Sequence, residues 1–167
     1  MQSTSSNTST QEAEVNENSV IKVLAQLNQL CLAAFKKTKR QELIFQILND
    51  TLQLVPYDRA VLWKMSGRKP SILGASGQSQ INKDAGMAEH WQTVIRDLKK
   101  PEEIQELSED SFKKHPALFK EIKRGSLKPQ ILWLPIHTKN KQTMGLWLER
   151  WHQKPWTAGE IDILSFL

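Results

Sequence analysis

The sequence predicts an α+β domain in which helices surround two β-hairpins. Two observations lead to this prediction. Apolar residues recur at helical spacing near both ends of the chain, and between them two stretches change to strand-like apolar runs separated by polar turns. With 167 residues, of which 39% are hydrophobic, the chain can bury one sizeable core. It is therefore most simply a single domain.

The beginning of the chain differs in composition from the rest. Residues 1–18 are rich in Ser, Thr, Asn and Gln and contain acidic but no basic side chains. We expect them to form a disordered polar tail and the folded domain to cover residues 19–167. A start that is neither basic nor apolar does not fit a secretion signal. The net charge of the whole chain is +5, so the domain itself is more basic than this total.

The densest basic cluster consists of Lys36, Lys37, Lys39 and Arg40. Such a cluster can attract nucleic acid or an anionic membrane surface. It also closes a predicted helix, where cations stabilise the negative end of the helix dipole. Because no nucleic-acid-binding motif accompanies the cluster, we expect no nucleic acid partner.

A first helix is predicted from Ser19 to about Thr38. Its apolar stripe alternates spacings of four and three residues and consists of Val20, Leu24, Leu27, Cys31 and Ala34. Such a stripe can pack on its own domain, on a second copy of the chain, or on both. We expect a buried structural thiol at Cys31. As the single cysteine, it excludes an internal disulfide and favours a reducing, cytoplasmic location.

A second helix is predicted from about Gln41 to Leu54, ending before Pro56. The residues expected on its buried side are Leu43, Ile44, Ile47, Leu48 and Leu52. The period of the apolar pattern then changes. A strand is predicted at Arg59–Met65, followed by turn residues and by a partner strand in Ser71–Gly77.

Helical spacing returns from Asp84 to about Leu98, and Pro101 marks a break after it. The segment Glu102–Arg124 is polar with scattered apolar residues, so we expect short helices there. Gly125 is a suitable stop for the last of them.

A tryptophan-rich hairpin follows. Both faces of the run Ile131–Ile136 are apolar, which is typical of a central strand. In Met144–Arg150 the aliphatic residues share one face and the tryptophan lies on the other. We expect the two runs to pair antiparallel, with Trp133 and Trp147 buried.

The last helix is predicted to begin at Thr157. The Thr157 hydroxyl and the Glu160 carboxylate are spaced as in a capping box, in which each satisfies a backbone N–H of the first turn. The apolar face of this helix has only begun when the chain reaches Leu167. We therefore expect the domain to be truncated within its last helix.

This order of elements resembles a GAF domain. The stretch LVPYDRAVLW, Leu54 to Trp63, resembles the end of the second helix and the first strand of that family. LWLPI and GLWLER resemble its late strands, and WTAGEIDILSFL resembles its closing helix. The resemblance covers about Val20 to Leu167. It implies a GAF-like α+β fold with a central antiparallel sheet of five or six strands flanked by helices.

A narrower resemblance is to the N-terminal cytoplasmic GAF region of bacterial hemolysin-D-like (HlyD-type) membrane fusion proteins. It implies a non-enzymatic regulatory or assembly module of a secretion or efflux adaptor, at the cytoplasmic face of an inner membrane. Contact with the membrane would come only through a segment following Leu167. The alternative is a small-molecule-binding GAF sensor domain of a signalling protein.

The chemistry of other GAF groups does not match these residues. Cyclic-nucleotide GAF domains share an NKFDE-type signature, of which only Asn82 and Lys83 are present. Tetrapyrrole-binding relatives use a cysteine in the later half of the domain, and the methionine sulfoxide reductase of this family uses several cysteines. We therefore expect no cofactor and no catalytic residues.

The four histidines do not form a recognisable metal site. They are His90, His115, His137 and His152, and they fall on different predicted elements without the paired spacing of a helical zinc site. We expect no metal ion.

The resemblance also implies where a ligand and a partner would bind. A pocket in this family lies between the sheet and the middle helices, which makes its candidate wall residues Trp63, Ser76, Trp91, Trp133 and Trp147. Aromatic residues also fill cores, and we favour core packing for them. The first and last helices of GAF-like domains lie side by side. We therefore expect a homodimer through the terminal helices, with the stripe from Val20 to Ala34 at the interface.

Overall fold

A computed structural model of the chain describes residues 7–65, 69–78, 86–98, 100–116, 120, 128–137, 143–151 and 154–166; for residues 7–19, 86–88, 90, 137 and 143 it describes the backbone alone. The helices are α1 Asn7–Phe35, α2 Arg40–Asp50, α3 Gly86–Arg96 and α4 Ala158–Ser165. The strands are β1 Arg59–Met65, β2 Ser71–Ala75, β3 Gln105–Leu107, β4 Gln130–His137 and β5 Thr143–Arg150. Short 3-10 turns cover Thr51–Gln53 and Glu109–Phe112.

The strands form one 5-stranded sheet in the order β2-β1-β5-β4-β3. Each neighbouring pair is antiparallel. Strand β5 is central, and its Trp147 stands opposite Val61 of β1 and Trp133 of β4. The predicted pairing of the tryptophan-rich hairpin is confirmed, and so is the α+β fold with a five-stranded antiparallel sheet.

The alternation of side chains along the strands gives the sheet two different faces. The tryptophan face carries Trp63, Trp133 and Trp147 and is covered by α3. The aliphatic face carries mainly Leu side chains of β1, β4 and β5 and is covered by α2 and α4. Two hydrophobic cores therefore lie on opposite sides of one sheet.

Close packing leaves no room for a side chain at Gly145 in β5. A Cβ atom built there would lie 2.0 Å from the Trp133 ring, which crosses the strand on the tryptophan face. At Gly74 in β2, a Cβ atom would lie 2.4 Å from Ile44 Cγ2 of α2. The two glycines thus allow a ring and a helix to reach the sheet.

The second helix differs from the predicted one. Its α-helical part ends at Asp50, and the 3-10 turn that follows turns Leu52 toward solvent, so the expected burial of Leu52 is wrong. Gln46 is buried instead. Tyr57 fixes the end of α2, because its hydroxyl donates to the Leu48 carbonyl at 2.9 Å. Burial raises the pKa of the Tyr57 phenol.

The other element boundaries match the predicted ones to different degrees. Helix α1 begins at Asn7, so residues 7–18 of the expected polar tail have helical backbone; the limit of the domain itself stays a prediction. Between Glu102 and His115, strand β3 and a 3-10 turn stand where short helices were expected, whereas Pro116 and Lys120 have helical backbone. Residues 117–119 and 121–127 lie outside the described residues.

The start of α4 has the predicted capping box. The Glu160 backbone N–H donates to the Thr157 hydroxyl at 3.3 Å, and the Thr157 N–H donates to Glu160 Oε2 at 2.9 Å. Both residues satisfy donors that a helix start otherwise leaves unpaired. Arg150 of β5 then connects this first turn to the sheet, as described below.

Candidate functional site

Four tryptophans meet on the tryptophan face. Strand alternation points Trp63, Trp133 and Trp147 to one side of the sheet, and α3 adds Trp91 from above. The ring centroid of Trp91 lies 6.4 Å from that of Trp63, edge to face, and 6.4 Å from that of Trp147, stacked. These distances are typical of favourable aromatic pairs. The structure thus brings together four of the five residues predicted to line a pocket.

These four rings are buried and pack against one another. This agrees with the core packing that we favoured for them, whereas the ligand pocket itself stays a prediction. Ser76, the fifth candidate, lies just after β2 and supports the sheet edge. Its hydroxyl accepts from the Ala60 N–H at 2.9 Å, and its own N–H donates to the Ala60 carbonyl at 2.8 Å.

Two of the four indole N–H groups of this cluster have a hydrogen-bond acceptor in the described part of the chain, and the other two do not. Trp133 donates to the Pro101 carbonyl at 2.9 Å, and Trp147 donates to Glu149 Oε1 at 2.8 Å. The indole N–H groups of Trp63 and Trp91 are buried and have no acceptor among the described residues. A buried donor without an acceptor costs about 1–3 kcal/mol, so these two groups are the unsatisfied donors of the tryptophan face among the described residues.

A buried ion pair closes one end of the tryptophan face. Arg59 Nε in β1 donates to Glu149 Oε2 in β5 at 2.8 Å, and the Glu149 side chain is fully buried. The Arg59 guanidinium carbon lies 4.6 Å from the centroid of Trp91 and 5.2 Å from that of Trp151. Both rings provide a cation–π contact, which helps to stabilise the partly desolvated charge. Sequence reasoning did not single out this pair.

The next residue of β5 makes a second buried contact on the opposite face. Arg150 donates from Nη2 to Glu160 Oε1 at 3.0 Å and from Nε to the Pro56 carbonyl at 3.0 Å. Its guanidinium lies 4.0 Å from the centroid of the Trp156 ring. Partial burial alone would raise the pKa of Glu160, but the hydrogen bonds from Arg150 and Thr157 and the charge of Arg150 outweigh it and lower that pKa. Arg150 therefore fixes α4 to the sheet.

Of the four histidines, His115 alone has its side chain within the described residues. His115 is half-buried, and its Nε2 lies 3.2 Å from Asp97 Oδ2 without hydrogen-bond geometry. His152 and the side chains of His90 and His137 lie outside the described residues. Within the described part of the chain, no group of three or more potential ligands comes together.

A groove of about 1260 Å³ lies between α1, α2 and β2. Its walls include Leu32 and Phe45, and basic side chains of the cluster from Lys36 to Arg40 stand along its rim. Sequence reasoning did not predict this groove, because it depends on the distance at which α1 stands from the rest of the domain.

Several apolar side chains of α1 between Val20 and Phe35 are exposed to solvent. Among residues 20–35, whose side chains are described, the half-buried ones are Val23, Gln26, Leu27, Leu30, Ala33 and Ala34, and they mark the side that faces the domain. Val20 and Leu24 of the predicted stripe are 52% and 58% exposed. Cys31 is also exposed, so the prediction of a buried thiol is wrong. The reason is that α1 is turned so that the side through Val23, Leu27 and Leu30 faces inward, which leaves Val20, Leu24 and Cys31 of the stripe in solvent.

Solved structures with the same fold are GAF domains. The GAF domain of a phosphoenolpyruvate-protein phosphotransferase from Coxiella burnetii is 12% identical, with a TM-score of 0.61, over 87% of this chain and 88% of that one. The corresponding domain from Acinetobacter is 10% identical, with a TM-score of 0.56, over 86% of both chains. A methyl-accepting chemotaxis protein is 12% identical, with a TM-score of 0.54, over 85% of this chain and 90% of that one. This chain has a GAF-like fold.

Comparison of the sequence with known proteins gives no match beyond these structural similarities. No family model matches the chain. No curated protein matches it either. In the part of the chain that is described, the helices are too short or too polar to cross a membrane.

On the GAF-like fold, the predicted residues occupy two separate places. The tryptophans lie between the sheet and α3, where the resemblance places a ligand. The stripe residues lie on α1, away from the sheet and largely exposed. The two predicted sites are therefore independent of each other, and each can be altered without touching the other.

Proposed function

We propose that this chain is a non-enzymatic GAF-type regulatory module that assembles as a homodimer through α1. The exposed apolar stripe carries the proposal: Val20, Leu24 and Cys31 lie on one line of the helix and are not covered by the domain. Leu27 and Ala34 are half-buried beside the same line. A second copy of α1 packed along this line would remove these side chains from water.

The proposal of a module without catalysis also rests on the sequence. Its single cysteine lies on α1, far along the chain from the positions used by the cysteine-dependent members of the GAF family. The tryptophan face is apolar, and its charged pair, Arg59 with Glu149, is engaged in structural contacts. These groups are suited to holding the sheet together.

The proposed context is an HlyD-type secretion or efflux adaptor, with the module at the cytoplasmic face of a bacterial inner membrane. Support for this narrower role comes from the sequence resemblance of Leu54–Trp63 and the tryptophan-rich hairpin. Tethering copies to one membrane raises their effective concentration, so even a weak contact between α1 helices would suffice for assembly.

A second candidate function is small-molecule sensing. One observation favours it: the buried indole N–H groups of Trp63 and Trp91 have no acceptor within the described residues. A flat ligand with a hydrogen-bond acceptor that entered this face would satisfy them. Such a ligand should raise the melting temperature of the chain, and Trp91→Phe should reduce that shift.

The dimer proposal is tested by sedimentation equilibrium over a range of concentrations. Val20→Glu with Leu24→Glu places two charges in the proposed interface and should convert the dimer to a monomer, because burying unpaired carboxylates is costly. Both residues are more than half exposed, so the fold should survive, as circular dichroism would show. Leu52→Glu is a control for a single added charge, since Leu52 is an exposed leucine outside α1. A wild-type chain that stays monomeric at every concentration contradicts the proposal.

A further inference from the structure

The turn between α1 and α2 combines exposed apolar and basic side chains. We define the corner patch as Leu32, Phe35, Lys36, Lys37, Lys39, Arg40 and Phe45. Several of these residues, including Leu32, Arg40 and Phe45, line the same groove, so they are neighbours in space as well as in sequence. We propose that the corner patch docks the domain on an anionic membrane surface.

The apolar part of the corner patch is unusually open to solvent. Phe35 is 88% exposed at the end of α1, Leu32 is 54% exposed one turn earlier, and Phe45 is 47% exposed on α2. Single exposed apolar residues are common, but a cluster of them marks an interaction surface. Phe35 contributes nothing substantial to the core of its own domain.

Three of the four basic residues of the corner patch have no ion-pair partner among the described residues. The acidic residue nearest in sequence, Glu42, pairs with Lys39 at 3.5 Å, and both side chains are largely exposed. Across the described residues, no carboxylate forms an ion pair with Lys36, Lys37 or Arg40. These charges therefore remain available for an anion.

An anionic bilayer matches both parts of the corner patch. Its phosphate groups attract clustered Lys and Arg side chains within about a Debye length of the surface. Its interfacial layer accepts an aromatic ring such as Phe35, whose burial there removes apolar area from water. A solvated polyanion would satisfy the cations but would leave Phe35 and Leu32 exposed.

A second copy of the chain is a poorer occupant for this patch. Two copies meeting at the corner patch would bring Lys36, Lys37 and Arg40 of each against the same cations of the other. Like charges brought together without counter-charges oppose association. The apolar line of Val20 and Leu24, which carries no such charge cluster, is separate. The membrane proposal therefore does not depend on the dimer proposal, and either can fail without the other.

The test is co-sedimentation of the full chain with lipid vesicles. One set of vesicles contains phosphatidylcholine alone, and the other contains phosphatidylcholine with phosphatidylglycerol. The chain should bind the anionic vesicles and not the neutral ones, and salt should weaken the binding. Lys36→Gln with Lys37→Gln should lower the affinity by roughly thirtyfold, given the usual contribution of two basic residues near an anionic surface.

Two further variants separate the corner patch from overall charge. Lys113→Gln with Lys114→Gln removes the same charge from exposed lysines elsewhere and should leave binding nearly unchanged. Phe35→Ser keeps the charge, retains the fold because the ring is exposed, and should weaken vesicle binding severalfold. The proposal is overturned if wild type fails to bind anionic vesicles, or if both lysine pairs weaken binding equally. It is also overturned if duplex DNA binds as well as the vesicles and Phe35→Ser changes neither.

Discussion

At the residue scale, neighbouring residues of β5 make buried charged contacts on opposite faces of the sheet. Glu149 accepts from Arg59 and Trp147 on the tryptophan face, while Arg150 binds Glu160 and the Pro56 carbonyl on the other. Strand alternation explains this arrangement, because successive side chains point in opposite directions. The end of β5 thus links α3, through its Trp91 contact with Arg59, to α4.

Glu149→Ala should destabilise the domain by about 3 kcal/mol. The reason is that it leaves Arg59 and the Trp147 N–H without their buried acceptor. Urea unfolding followed by tryptophan fluorescence measures this change. Glu103→Gln is the control, because the Glu103–Lys100 pair is exposed and should change stability by about 0.5 kcal/mol or less. Equal small effects of both substitutions would show that the buried pair does not stabilise the sheet.

The Glu160 carboxyl should give the domain a measurable acid sensitivity. Its pKa is lowered in the folded state, so its contribution to stability is fully present above the pKa of the unfolded chain. That contribution is lost as the pH falls through the lower folded-state pKa. The free energy of unfolding, measured from neutral to acid pH, should therefore fall less steeply in Glu160→Gln than in wild type. Parallel curves for the two proteins would rule out this role for Glu160.

At the element scale, the strands were more readily predicted than the contacts between elements. The run Ile131–Ile136 is apolar on both faces, so a central strand follows from the sequence alone. Strand β3 was missed because it is short and polar, as Gln105 and Glu106 show, and pairs only with β4. The burial of Leu52 was wrongly expected because helical spacing was extended through a 3-10 turn. No local sequence pattern predicts that 3-10 turn.

The candidate sites, like the secondary structure, could be predicted only in part. The antiparallel pairing of the two runs and the burial of Trp133 and Trp147 were predicted, and the structure confirms both. The Arg59–Glu149 pair could not be inferred, because these residues are distant in sequence and meet only through the order of the strands. The exposure of Cys31 likewise depends on how α1 is rotated against the domain.

Gly145→Ala should cost about 1–3 kcal/mol, because the added methyl group would overlap the Trp133 ring in a well-packed core. Gly159→Ala is the control. A Cβ atom there meets nothing within 4 Å, and alanine favours the helix, so stability should stay equal or rise slightly. Thermal unfolding of both variants measures the difference. A neutral effect at Gly145 would mean that Trp133 can move aside without loss.

At the scale of the whole molecule, α1 lies outside the two hydrophobic cores that the sheet forms. The sheet with α2, α3 and α4 forms a self-contained core on both faces. Helix α1 packs against α2 at one side and leaves Val20, Leu24 and Cys31 of its apolar stripe exposed. A second copy of the chain is the partner we propose for that stripe.

Cys31 provides the most direct test, because it is exposed, lies on the stripe and is the single cysteine. The measurement is the rate at which a soluble disulfide reagent modifies Cys31 as the protein concentration is raised. A dimer through the stripe predicts that the rate falls at high concentration in wild type. It also predicts that the rate stays constant in Val20→Glu with Leu24→Glu. A wild-type rate that is independent of concentration and equal to that of the variant would contradict assembly through α1.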